Sequence, residues 1–272
     1  MPSHSLLAIF AHPDDETFGL AGCFAMYRSR GIHCALITAS CGEAGEISDL
    51  VHIDPKDLCD TRADELRAAM KAVDVDDVDI LGYADGKVRQ ADPDEITGKI
   101  VRFIRKIRPD VIVTFGPEGI YGHPDHIAVH KYATRAFHEA ALAANYPEQL
   151  TEGLGVHAAR KLYYNVVQRS RFKKMAQEAA QAGEKYHFPI EDLDKFGVED
   201  DRVTAIIDVR PFFDQKWEAI WSHKSQLPEG SPFRVLPKEV LREALGIETF
   251  QRAAPPPYPG EPIETDLFAG LK

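Results

Sequence analysis

The sequence predicts an α/β protein built on a mostly parallel sheet with helices on both faces. Three observations lead there. Apolar runs without polar alternation, such as SLLAIFA at Ser5–Ala11 and VIVTF at Val111–Phe115, have the composition of strands buried on both sides. Stretches of helical period separate these runs, as crossovers between parallel strands require. The composition is that of an ordinary globular chain, 272 residues with 44% hydrophobic and 28% charged.

Each element has a local reason. Ser5–Ala11 is the first strand, followed by a helix from about Phe18 to Arg30 that stops at Gly31. Ile32–Ala39 is a second strand, leading into the Gly- and acid-rich loop SCGEAGEISD and a helix over about Leu58–Val73. Val78–Gly82 reads as a short strand. Pro93–Ile107 reads as a helix with proline in its first turn and Pro109 beyond its end. Val111–Phe115 and a helix from about Pro124 to Ala143 complete a Rossmann-like core of about residues 1–145. Beyond it the rhythm loosens. Lys161–Val167 and Val203–Asp208 are strand candidates, separated by the charged helical stretch RFKKMAQEAAQA and a polar segment. Pro211–Lys224 reads as helix, Ile247–Arg252 as a last strand, and APPPYPGEP as an irregular proline-rich tail. Without a repeat or a sharp linker, residues 1–272 read as one domain whose part from about 146 onward shapes the substrate site.

Composition also excludes functions. A formal charge of −11 argues against nucleic-acid or anionic-membrane partners. No window approaches the roughly 18 apolar residues of a membrane span, and the N-terminus lacks a basic stretch ahead of its apolar run, so a cytoplasmic protein is expected. Cys23, Cys34, Cys41 and Cys59 contain no CxxC pair, which predicts free thiols rather than a disulfide framework or zinc knuckle.

Three polar clusters fall at the carboxyl ends of strands, where doubly wound sheets hold ligands: His12-Pro-Asp14-Asp15-Glu16, then Glu43 to Glu46, then YGHPDH from Tyr121 to His126. Three adjacent acids at a core edge repel unless they face a cation. His12, His126 and a carboxylate from Asp14 or Asp15 suit Zn²⁺, with Fe²⁺ compatible, better than the all-oxygen shells of Mg²⁺ or Ca²⁺. Each His-Pro-Asp turn taken alone could be a helix start; two at one sheet rim point to a site.

AHPDDE together with GPEGIYGHPDH resembles the PIG-L/LmbE-like family of zinc-dependent deacetylases, which remove N-acetyl groups from glucosamine-containing compounds. TRADELRAAMKAV, ILGYADG and the late WSHKSQ extend the likeness from Leu6 to about Gln226. The resemblance implies an LmbE-like fold, with His12, Asp15 and His126 as metal ligands and Asp14 as general base. It also implies that His123, oriented by Asp125, stabilises the intermediate or protonates the leaving amine, and that Tyr121 donates to the oxyanion. Arg62, Asp85 and Glu46 match sugar-contacting positions. Relatives form trimers or hexamers, so a homo-oligomer is implied. Amide hydrolysis needs an activated water, a base, charge stabilisation and a proton for the amine, and this set has a residue for each.

Each of the other residues also has a structural reading. Arg62 and Glu65 could be a surface pair one helical turn apart, and Asp85 a turn aspartate. Glu16 suits the positive end of the following helix. His223 is either a core-edge histidine or a support for the site, and His130 reads as a helix-surface or supporting residue. The expected function is removal of an N-acetyl group from a small N-acetylglucosamine-containing glycoside. The rivals are an amidase acting on conjugates of a glucosaminyl thiol and an inactive sugar-binding module.

Overall fold

The structure is a computed structural model that describes residues 4–181 and 196–271. Besides short 3-10 turns, the chain forms β1 (Ser5–Phe10), α1 (Asp15–Gly19), α2 (Ala21–Ser29), β2 (His33–Thr38), α3 (Leu58–Ala72), β3 (Asp77–Ile80), α4 (Pro93–Ile107), β4 (Val111–Phe115), α5 (Gly119–Gly122), α6 (Pro124–Glu139), α7 (Pro147–Thr151), β5 (Lys161–Asn165), α8 (Arg169–Gln181), β6 (Ala205–Asp208), α9 (Phe213–Ser222), α10 (Pro232–Val235), α11 (Lys238–Leu245) and β7 (Ile247–Ala254). The end of the charged stretch, at Ala182, and most of the polar segment after it lie outside the described residues.

One seven-stranded sheet has the order β3-β2-β1-β4-β5-β7-β6. The first five strands in this order run parallel, while β7 is antiparallel to both β5 and β6. The expectation of a mostly parallel sheet therefore holds, with an antiparallel edge. Successive side chains of a strand point to opposite faces, and Leu6 to Phe10 are all at most 1% exposed, so both faces of β1 are covered. At the opposite edge β3 alternates exposed and half-buried residues.

The helices follow their caps. Asp92 accepts from the N–H groups of Asp94 and Glu95, Pro93 opens α4, and Arg108 closes it in the left-handed region. The helix expected over Phe18–Arg30 is two helices broken at Leu20. The break has a cause in β7, where the Glu248 carboxylate takes the N–H groups of Gly22 and Cys23, both at 2.9 Å, and so starts a new helix. Lys216 Nζ joins Glu248 Oε1 (2.7 Å) to the carbonyl of Phe18 (2.8 Å), tying the end of α1 into the same buried pair. No described helix is long and apolar enough to cross a membrane.

The cysteines correct one expectation. Cys23 and Cys34 are buried free thiols, but Cys41 and Cys59 form a disulfide. Sequence spacing hides the pair because the loop after β2 folds back over the start of α3. Ser48 N–H donates to the Ser225 carbonyl, and Arg62 Nη1 donates to the Gly42 carbonyl, which brings the two Cα atoms to 5.1 Å. The bridge closes a separation of 18 residues. Loop-closure entropy for that size implies a contribution of about 2–4 kcal/mol. Reducing the protein, or replacing Cys59 by serine, should lower the denaturant midpoint by a corresponding amount. A wild-type midpoint indifferent to reductant would mean that the bridge is not closed.

Candidate metal centre

All the predicted site residues except Arg62, which lies on α3, follow the carboxyl ends of β1 to β4. β1 lies between β2 and β4, so the strand order turns back beside it, at the position where doubly wound sheets bind ligands.

The turn after β1 is closed by the His12 N–H, which donates to Asp15 Oδ2 at 2.8 Å. Asp14 sits in this turn at φ 113°, a region costing a residue with a Cβ about 1–3 kcal/mol. The twist sends adjacent carboxylates in different directions. Asp15 Oδ2 lies 3.4 Å from His12 Nδ1 and Oδ1 lies 3.2 Å from His126 Nε2, whereas Asp14 Oδ2 meets Arg62 Nη2 at 3.0 Å.

His126 is set by its surroundings. Its ring stacks on Phe115 at 4.1 Å between centroids, and Nδ1 faces the Gly119 carbonyl at 3.2 Å. Gly119 has φ 60°, and a Cβ there would come within 3.1 Å of His126 Cβ. With Nδ1 as the donor to Gly119, Nε2 presents a lone pair. It is buried without a hydrogen-bond partner and faces the Asp15 carboxylate. Two lone pairs at that distance repel unless a cation lies between them. His12 completes the arrangement. Its Nε2 is 2.9 Å from Asp85 Oδ1 and 3.5 Å from Asp125 Oδ2, bent away from ideal hydrogen-bond lines, and these carboxylates favour the proton on Nε2. Nδ1 is thereby left free for a metal, an arrangement in which carboxylates orient a ligating imidazole.

The electrostatics agree. Burial opposes a charged His12, but Asp125, Asp15 and Asp85 outweigh it and push its pKa up to about 12. Burial also works against an ionised Asp15, yet His126 and His12 hold its carboxyl well below the usual range. The cluster is short of positive charge, and two imidazoles with a carboxylate suit Zn²⁺ or Fe²⁺.

Among the described residues, the groups whose donor atoms all lie within 4.8 Å of one another are His12-His123-His126 and His12-Asp85-Asp125, and neither contains Asp15. Hydrogen bonding disfavours both. His123 caps α6, its Nδ1 accepting the Asp125 N–H at 3.2 Å, so the neutral ring carries its proton on Nε2 and is a donor there. Asp125 accepts from the N–H groups of Gly86 (2.7 Å) and Val88 (3.1 Å), and Asp85 Oδ2 from that of Ala44 (3.1 Å).

Several sequence expectations need correction here. Asp125 was expected to orient His123. The carboxylate serves His12 instead, and only the Asp125 backbone holds His123. Burial, with His126 and His12, lowers the His123 pKa more than Asp125 and Asp15 raise it. Arg62 is neither on the surface nor open to a sugar. It is 3% exposed, with its guanidinium on the Pro13 and Gly42 carbonyls and on Asp14. Glu46 is exposed, and its neighbour Glu43 makes the link to this rim by accepting the Asp85 N–H at 2.9 Å. Glu16 stands in the first turn of α1, at its N-terminal end. It is fully buried, with Oε2 accepting the Asp14 N–H at 3.0 Å and Oε1 lying 3.1 Å from His223 Nε2. The WSHKSQ motif signals His223, but nothing in the sequence signals its partner.

Tyr121 is half-exposed, its ring 5.3 Å from that of His126. Burial and the carboxylates of Asp15, Asp14 and Asp85 raise its pKa, so the hydroxyl keeps its proton. The preceding Ile120 has φ 65° and ψ −62°, a strained γ-turn for a β-branched residue. His130 Nδ1 bonds the Phe115 carbonyl at 2.9 Å, supporting the strand end.

Comparison with known proteins supplies the chemistry. The PIG-L family, described as GlcNAc-PI de-N-acetylase, matches residues 7–137. A 1D-myo-inositol 2-acetamido-2-deoxy-alpha-D-glucopyranoside deacetylase of Geodermatophilus obscurus is 34% identical over 294 residues, covering 99% of each chain. Among solved structures, an N,N'-diacetylchitobiose deacetylase from Pyrococcus horikoshii superposes with TM-score 0.70 at 18% identity, covering 92% of this chain and 83% of that one. A 4-carboxy-2-hydroxymuconate hydratase from Pseudomonas putida superposes with TM-score 0.65 at 19% identity, covering 94% and 98%. The fold alone therefore does not fix the reaction.

Metal analysis of variants checks the donor set. Asp15→Ala and His126→Ala should lose nearly all bound metal. Asp125→Ala, which frees the His12 ring and also unpairs the N–H groups of Gly86 and Val88, should weaken metal binding about 10–100-fold. A full equivalent of metal retained by His126→Ala would remove that residue from the set.

Proposed function

This chain belongs to the PIG-L family of de-N-acetylases, and we propose that it hydrolyses the N-acetyl group of an N-acetylglucosaminyl inositol, using zinc held by His12, Asp15 and His126. The enzyme class and the small GlcNAc-containing substrate follow from the family; the inositol aglycone rests on the full-length likeness to the inositol glycoside deacetylases. The observation that carries the metal reading is the pair of opposed lone pairs on His126 Nε2 and Asp15, with Asp14 beside them.

Bound zinc supplies Lewis acidity, polarising the scissile carbonyl and lowering the pKa of a coordinated water. The remaining steps belong to the chain. Burial pushes the Asp14 carboxyl up to about 6, with Arg62 pulling against it, so Asp14 is ionised at neutral pH yet basic enough to take the proton of the attacking water. The His123 Nε2–H and the Tyr121 hydroxyl donate to the amide oxygen as it gains charge. Neutral His123 has no second proton to give, so the proton taken by Asp14 is the one delivered to the departing nitrogen.

Asp14→Asn should retain metal and lose about 10²–10⁴-fold in kcat, measured as acetate release from N-acetylglucosaminyl inositol. Activity requires the ionised carboxylate, so the rate should fall as pH drops through the Asp14 pKa. A dication nearby favours the carboxylate, placing this acidic limb no higher than about pH 6. An Asp14→Asn enzyme with wild-type turnover and the same limb would exclude Asp14 as base. Faster release of a long acyl chain than of acetate would favour the conjugate amidase.

A further inference from the structure

We propose that Glu16 and His223 form a positioning pair that holds Asp14 in the orientation needed to act as base, with the Glu16 carboxylate bridging the His223 imidazole and the Asp14 backbone. This rests on the reading of Asp14 as general base. The starting point is the strain at Asp14. A residue at φ 113° persists only where its surroundings over-determine it, and here two contacts do so. Glu16 Oε2 accepts the Asp14 N–H at 3.0 Å, fixing the backbone, while Arg62 Nη2 fixes the carboxylate at 3.0 Å. With the peptide and the side-chain tip both anchored, Asp14 is set apart from Asp15 although the two are adjacent.

Glu16 is itself over-determined. Its carboxylate is fully buried, where an unpaired charge would be untenable. Oε1 takes the Thr17 hydroxyl at 2.6 Å and faces His223 Nε2 at 3.1 Å. His223 is 1% exposed and 207 residues away in sequence, at the end of α9. It is held there because Ser225 donates its N–H and hydroxyl to the Glu65 carboxylate at 2.7 and 2.6 Å. Glu65 lies one turn from Arg62 on α3, so the late WSHKSQ motif braces the first turn of the active site through Glu16 and the helix carrying Arg62 through Glu65. Neither Glu16 nor His223 is placed to donate to the metal in the arrangement above. Their action runs through Asp14.

The test is a double-mutant cycle on metal-loaded enzyme. Glu16→Ala should lower kcat about 10–100-fold, keep KM within about twofold, and retain one metal per chain. Glu16→Gln should recover most of the rate, since its amide oxygen still accepts the Asp14 N–H. Hydrogen exchange at the Asp14 amide should quicken in the alanine variant and not in the glutamine one. In an Asp14→Asn background, Glu16→Ala should cost less than about threefold more. Should Glu16→Ala fail to fold, the same cycle is run with His223→Leu, expected to lose rate, against His223→Gln, expected to keep it. Losses that multiply in the double variant, or metal lost in step with activity, would overturn the proposal while leaving Asp14 as base. Wild-type turnover in Asp14→Asn alone would overturn the base reading, and this proposal with it.

Discussion

Five carboxylates, of Asp14, Asp15, Glu16, Asp85 and Asp125, gather where β1, β3 and β4 end, none of them more than 22% exposed in its side chain. Their repulsion in a partly dry environment has to be met by positive charge or hydrogen-bond donors within a few ångströms. The surrounding structure can be understood as the answer to that demand. Arg62 meets Asp14, His223 meets Glu16, and the N–H groups of Gly86 and Val88 meet Asp125. Between Asp15 and His126, whose Nε2 is buried without a hydrogen-bond partner, a dication fits.

Local signals made the fold legible. Pro93–Ile107 and Val111–Phe115 have the boundaries that Asp92, Pro93, Pro109 and the apolar run predict, because caps and burial on two faces act within a few residues. The two His-Pro-Asp turns were legible for the same reason, each being a strand end running into a helix start. Contacts across long separations were not legible. Leu20 interrupts a helical pattern because Glu248 reaches its neighbours from the last strand. Arg62 looks like a surface or substrate residue on its own helix until the turn 48 residues earlier folds over it. Cys41 and Cys59 show no spacing motif because a returning loop joins them.

Asp14 and Asp15 show how a strained backbone turns adjacent carboxylates apart. Neighbouring carboxylates in relaxed geometry would compete for the same cation. A single positive φ separates them into one group aimed at two imidazoles and another aimed at a guanidinium. The associated cost is small beside the general-base effect proposed for Asp14.

The sheet order has a consequence for how the molecule is made. Among the described strands, β6 neighbours only β7, and β7 separates it from β5. Of the described strands, β7 comes last in the chain, so the sheet closes only when β7 inserts between β5 and β6. Roughly 120 residues separate His126 from Ile247, about ten seconds of translation at ordinary rates. In that interval a nascent chain already carries His12, Asp15 and His126 but lacks Glu248 to seat α2, and the outer edge of β5 is open to another chain. Truncation of the chain before Ile247, by nonsense mutation or proteolysis, would recreate that state in a finished molecule, removing a strand from the middle of the sheet rather than trimming its end.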